Sequence, residues 1–88
     1  MIKIGKYEYD RVGDFSEGKA WARKGNREFH INLDGSRAYK QSFDWVVSFF
    51  KGKAMVSKDG KEFYIDHNGK KIKEVRNNAT KVDKKSRN

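Results

Sequence analysis

Slid along itself by 34 residues, this sequence meets itself again. Tyr9 to Ala38 aligns with Phe43 to Ile72 without a gap, and eleven of the thirty pairs are identical, among them Asp10/Asp44, Phe15/Phe49, Ala20/Ala54, Glu28/Glu62, Phe29/Phe63 and Ile31/Ile65. A period of this length means two copies of one supersecondary unit, each too small to bury its apolar face alone and therefore packed on the other. The reading is one domain over 1–76, with repeat one at 9–42 and repeat two at 43–76, followed by a flexible basic tail at 77–88, where Asn77-Asn78 stand in place of the next aromatic-Asp step. With 88 residues there is no room for a substrate domain beside a cofactor domain.

Within each unit the pattern has the period of strands. Asp59-Gly60 tolerates the positive φ that a tight hairpin turn requires, and Gly25-Asn26 takes its place in the first copy. Closing a two-residue loop at Gly25-Asn26 pairs Lys24 with Arg27, Arg23 with Glu28, Ala22 with Phe29, Trp21 with His30, Ala20 with Ile31 and Lys19 with Asn32. Ala22/Phe29 and Ala20/Ile31 then share an apolar face. The second copy repeats this with Val56/Phe63 and Ala54/Ile65, leaving Ser57/Glu62, Met55/Tyr64 and Lys53/Asp66 on the other side. A slip of one residue would turn every apolar side chain outward in both copies, so the register is strongly specified. Asp34-Gly35 and Asn68-Gly69 turn the chain into a short last strand, and longer strands over Tyr9 to Phe15 and Phe43 to Phe50 precede the hairpins. The second of these is apolar on both sides, which places it either centrally or in a dimer interface. The expected fold is all-β: an antiparallel meander of two tandem 34-residue β-hairpin repeats.

An aromatic-Asp step (Tyr9-Asp10, Phe43-Asp44), then Phe-x-x-Gly-x-Ala (Phe15 to Ala20, Phe49 to Ala54), a hairpin, and Ile-Asn/Asp-x-x-Gly (Ile31 to Gly35, Ile65 to Gly69) together resemble the WG repeat family, tandem β-repeats found in many bacterial proteins. Where that family has its Trp-Gly dipeptide, both copies here have Glu-Phe, Glu28-Phe29 and Glu62-Phe63. The resemblance implies repeated hairpins and a role in binding, without a catalytic mechanism.

The absence of cysteine excludes a disulfide scaffold, a thiolate nucleophile and a Cys-ligated zinc site. Asp10, Asp44, Glu28, Glu62 and Asp66 recur at the repeat period, which reads as structural rather than acid/base chemistry; Asp10 and Asp44 are expected to hold backbone amides at turns, and Arg23/Glu28 and Lys53/Asp66 to be sheet-surface ion pairs. His30 and His67 lack a metal-ligand spacing and read as surface residues. The glycines are spaced as turn residues and form no phosphate loop. No enzyme and no cofactor are expected. No signal peptide or 18-residue apolar run appears, so the expectation is a cytoplasmic protein, monomer or homodimer, without membrane attachment.

What remains is a face on which bases and aromatics alternate: Lys19, Trp21, Arg23 and His30 in repeat one, Lys53, Met55 and Tyr64 in repeat two. It is either buried between repeats or presented to a partner. Such a mixture suits a protein hot spot or stacking on unpaired bases. The expected function is a non-catalytic module that docks on an acidic protein or nucleoprotein surface, as an inhibitor of a bacterial nucleoprotein machine in its sharpest form. The competing class is direct nucleic-acid binding, with Trp21, Tyr64 or Trp45 stacking a base and Lys81, Lys84, Lys85 and Arg87 of the tail as a basic arm. The formal charge of +9 does not choose between them: residues 1–69 hold 13 bases against 10 acids, and residues 70–88 hold 8 against 2.

Overall fold

Tight reversals set this fold, and in a chain without proline most of them fall on glycine, alone or with the residue before it, in a left-handed backbone. The computed structural model describes residues 1–72 and contains eight strands among them: β1 (Ile2–Ile4), β2 (Tyr7–Tyr9), β3 (Arg11–Val12), β4 (Lys19–Lys24), β5 (Arg27–Asn32), β6 (Trp45–Val46), β7 (Ala54–Lys58) and β8 (Lys61–Ile65). β1 pairs with β2, and the sheets β3-β4-β5 and β6-β7-β8 follow, every pairing antiparallel. The fold is therefore the all-β meander that the patterning requires. The β4–β5 register runs from Lys19↔Asn32 to Lys24↔Arg27, and β7–β8 from Ala54↔Ile65 to Lys58↔Lys61, as the apolar pairs demand. The basic tail, including Lys81, Lys84, Lys85 and Arg87, lies outside the described residues.

The 34-residue period is visible in the hydrogen bonds. Asp10 N–H donates to Arg23 O and Asp44 N–H to Ser57 O, both at 2.8 Å. Gly13 to Trp21 is repeated as Val47 to Met55, and Ala38 to His30 as Ile72 to Tyr64. Even the side-chain caps recur: the Asp10 carboxylate accepts from Gly25 N–H at 2.7 Å, and Asp44 from Asp59 N–H at 3.0 Å. Each aspartate ties the start of its repeat to its hairpin turn, satisfying an amide that a tight turn leaves unpaired.

The lead strands are shorter than the sequence implies. β3 and β6 are two residues each, after which the chain leaves the ladder and returns through the bridges Ser16↔Lys19 and Phe50↔Lys53. Between the bridge partners lie Glu17-Gly18 (φ 57° and 75°) and Lys51-Gly52 (φ 53° and 82°), two-residue loops with positive φ at both positions. Asp59-Gly60 follows the same pattern at 54° and 81°. These are the conditions of a type I′ turn, whose twist matches that of the flanking strands.

One segment binds the units together. Beyond the turn at Asp34-Gly35 the chain runs back along β5, with Arg37 opposite Ile31 and Phe43 opposite Glu28, and its excess residues bulge around Tyr39. It then becomes β6 and joins the second sheet. The bulge drives Tyr39 into the core against Phe43, with ring centroids 5.9 Å apart, and against Gly69, where an added Cβ would lie 2.6 Å from the ring. At the other end, Ile2 of β1 pairs with Tyr9 of β2 much as Glu28 of β5 pairs with Phe43, so β1 lies along the start of repeat one as β5 lies along the start of repeat two.

The core is a continuous cluster. Tyr9/Phe43, Ala20/Ala54, Ala22/Val56 and Ile31/Ile65 are buried in both copies. Phe49 is 1% exposed, between His30 and His67 at ring-centroid distances of 4.3 and 4.6 Å, whereas its counterpart Phe15 is 39% exposed. Equal positions differ because Phe49 packs on His30 of repeat one, and among the described residues Phe15 has no such ring beside it.

Candidate functional site

The alternating face splits in two, and its halves behave differently. In repeat one it is closed. Trp21 is half-buried, its indole resting on Gly13, where any Cβ would overlap Nε1. The Arg23 guanidinium is held by Glu28 at 2.7 Å, while the other Glu28 oxygen accepts the Val46 N–H at 2.9 Å. Glu28 thus links β4, β5 and β6, a part larger than a surface pair. Lys19, half-buried, and Arg11, opposite Arg23 in the β3–β4 register and exposed, are further cations of this side.

His30 is fully buried, which overturns its reading as an exposed histidine. Its Nε2 is 2.8 Å from the Val47 carbonyl and its Nδ1 2.6 Å from the Tyr39 hydroxyl. A carbonyl can only accept, so Nε2 carries the hydrogen and the Tyr39 hydroxyl donates to Nδ1. The neutral ring satisfies both contacts. Burial pushes its pKa from 6.5 down to about 4. Burial likewise raises the Tyr39 phenol well above the usual range. His30 is a pin between the repeats, reached from β6 and the Tyr39 bulge, and offers nothing to a ligand. His67 lies at a turn, with Nε2 3.0 Å from Glu17; the Gly52 N–H and His67 together hold the Glu17 carboxyl below the usual range.

In repeat two the face is open. Lys53, Met55 and Tyr64 are brought together, and Trp45, Val47 and Phe50 join them around a groove of about 370 Å³ with a mainly apolar lining. Phe50 is 69% exposed and Val47 45%. The Lys53 ammonium sits 4.7 Å above the Tyr64 ring centroid and that of Lys51 5.4 Å above the Phe50 centroid, so each cation lies over one face of an aromatic ring. Lys53 makes this contact instead of an ion pair with Asp66, whose carboxylate accepts the Asn68 and Lys70 amides at 2.9 and 3.0 Å.

The groove exists because the copies diverge where they would otherwise match. Arg11, Gly13, Ser16, Trp21 and His30 of repeat one correspond to Trp45, Val47, Phe50, Met55 and Tyr64. Repeat one fills the space with an indole lying on a glycine. Repeat two sets Val47 at the glycine position and Met55 at that of the tryptophan, and surrounds them with larger apolar groups. Val47 and Phe50 were missed as site residues in the sequence, although a signal was present: polar or small residues in copy one replaced by apolar ones in copy two. The segment over Phe43 to Phe50 is apolar on both sides for this reason, with Phe43, Val46 and Phe49 in the core and Val47 and Phe50 outside. Among the described residues no three His, Asp or Glu side chains converge as metal ligands.

The family described as WG containing repeat matches the chain at residues 6–27 and 42–61, one match in each copy. No curated protein and no solved structure matches it. The matched stretches carry the lead segment, the tight turn, and the first hairpin strand with its turn in each unit, and end where β5 and β8 begin. Two stretches in tandem, one in each copy of the 34-residue unit, thus match the WG repeat family.

Proposed function

We propose that this protein is a non-catalytic binding module whose repeat-two groove docks on a protein partner, with Trp45, Phe50, Met55 and Tyr64 as the apolar centre and Lys51 and Lys53 at the rim against acidic groups. The observation that carries this reading is the exposure of Phe50 and Val47 beside half-buried Trp45, Met55 and Tyr64, an apolar concavity of about 370 Å³ at the surface of a small chain. Aromatic anchors with a basic edge are the composition of an interface hot spot. Binding of this kind acts by occupying a surface, which suits a blocker of a larger assembly, including a nucleoprotein one.

Trp45 and Tyr64 flanked by lysines also support direct nucleic-acid binding, and salt separates the two readings. Phosphate contacts lose affinity steeply as salt rises, whereas a desolvated aromatic anchor does not. The test is capture of partners from cell lysate by the full chain, with and without nuclease, at low and high salt, with Trp45→Ala as comparison. Protein captured after nuclease treatment, retained in high salt and weakened on the order of thirtyfold by Trp45→Ala is the expected result. Loss of all captured material with nuclease would refute the protein-docking reading.

A further inference from the structure

A different surface carries a repeated feature that the groove does not use. At the turn end of the first hairpin, Tyr7, Tyr9, Lys24, Arg27, Phe29 and Arg37 line a hollow of about 600 Å³. Their counterparts 34 residues on are Gln41, Phe43, Lys58, Lys61, Phe63 and Lys71. All six line a second hollow, formed by two adjoining depressions of about 560 and 350 Å³ that share Lys58, Phe63 and Lys71. The likeness extends to geometry. The Arg37 guanidinium stacks 3.9 Å from the Phe29 centroid, and the Lys71 ammonium lies 5.0 Å from that of Phe63. These phenylalanines stand where the family has glycine, so the substitution in both copies supplies the platform on which each cation rests.

The cations remain available. Arg37 donates to the Lys40 and Gln41 carbonyls at 3.0 and 2.7 Å, which fixes its position without neutralising it. Arg27 is paired with Asp44 at 2.9 Å. Among the described residues Lys24, Arg37, Lys58, Lys61 and Lys71 form no ion pair. A preorganised cation beside a flexible lysine, at the mouth of a concave site, is suited to an oxyanion.

We infer that the two hollows are a repeated carboxylate-binding site for one extended, Asp/Glu-rich protein segment. Two observations favour an acidic peptide over a nucleic acid. The two phenylalanine rings carry the protein's own cations, Arg37 over Phe29 and Lys71 over the half-buried Phe63, and Phe29 is only 4% exposed, so neither offers a base a free face to stack on. The rims also hold Glu8 in the first hollow and Asp59 and Glu62 in the second. These carboxylates oppose any polyanion, but a peptide also brings a backbone amide donor at every residue that they can accept, which a phosphate backbone does not.

The test uses the full chain and a fluorescently labelled oligoglutamate peptide, read by anisotropy at low salt. Lys24→Glu and Lys58→Glu change exposed side chains that close the two hollows. Each should weaken binding about fivefold, the upper range of one exposed ion pair, and the double variant more, with an unchanged circular dichroism spectrum. Trp45→Ala, in the groove, should leave oligoglutamate binding as in the wild type, so this inference and the groove reading fail separately. Three results would overturn the site: a folded double variant that binds like the wild type, an oligodeoxynucleotide of equal charge that binds more tightly than the peptide, or loss of peptide binding when Lys81, Lys84, Lys85 and Arg87 are changed to glutamine.

Discussion

Acid should loosen the joint between the repeats, because His30 is neutral by construction. Its Nε2–H is committed to the Val47 carbonyl and its Nδ1 to the Tyr39 hydroxyl, within a site where the side chain is 0% exposed. A proton on Nδ1 would require the Tyr39 hydroxyl to turn from donor to acceptor and would place a charge in a buried site beside Phe49. In the unfolded chain the same histidine takes its proton near 6.5, and in the folded chain only near 4. The folded pKa is depressed, so the unfolded state binds more protons between these values. The stabilisation from a neutral His30 is complete above about 6.5 and declines as pH falls towards about 4. Each pH unit in that window removes about 1.4 kcal/mol, and the whole shift about 3 kcal/mol. A chain of this size has roughly 5 kcal/mol in total, so the effect is large. Urea unfolding followed by circular dichroism at a series of pH values provides the assay, with His30→Gln as reference. The glutamine amide can still donate towards Val47 but takes no proton in this range. The variant should be less stable at neutral pH and lose less of its stability on acidification, so the difference between the two proteins should narrow by up to about 3 kcal/mol. Equal pH slopes in both proteins would refute the argument from burial and tautomer.

Repeat-equivalent substitutions should have unequal effects. Phe49→Ala removes a ring that is 1% exposed and should cost about 3–5 kcal/mol, whereas Phe15→Ala, at 39% exposure, should cost less than about 1 kcal/mol, both read by urea unfolding. Gly69→Ala and Gly18→Ala both place a side chain at positive φ, 82° and 75°. Open space surrounds Gly18, so that variant should lose only the left-handed penalty of about 1–2 kcal/mol. A Cβ at Gly69 meets the Tyr39 ring as well, and its melting temperature should fall further.

Much of this molecule can be read from self-similarity. The eleven identities at a spacing of 34 identify the unit, and alternation within the unit sets the β4–β5 and β7–β8 registers, because a one-residue slip would expose Phe29, Ile31, Val56 and Ile65 together. Asp10 and Asp44 were legible as caps from their place after the aromatic. The type I′ turns at Glu17-Gly18 and Lys51-Gly52 were not, since each has a lone glycine after a charged residue and lacks the Asn-Gly or Asp-Gly signal, and the bridges Ser16↔Lys19 and Phe50↔Lys53 close around them.

The site was legible only in part. Lys53, Met55 and Tyr64 were placed on one face by register alone, and they do meet in the groove. His30, one cross-strand step from Trp21, follows the same alternation yet is buried, because the segment bulging at Tyr39 and the backbone at Val47 fold over it. No period within a repeat can show that. The cationic pairs Lys24/Lys58, Arg27/Lys61 and Arg37/Lys71 are present in the sequence, but only the return of the chain along β5 brings Arg37 onto Phe29.

The sequence by itself determined the repeat, its strands, its hairpin registers and the residues that face inward within a unit, since all of these follow from short-range geometry common to both copies. Tertiary structure decided which copy of each equivalent pair is covered: Phe49 and His30 are sealed, while Phe15 and Tyr64 stay at least partly exposed. The physical reason is that each repeat packs its faces on its neighbours, and in a pair the two copies cannot have the same neighbours. Positions that match in sequence therefore differ in burial, and the open groove lies on the copy whose face no later described repeat covers.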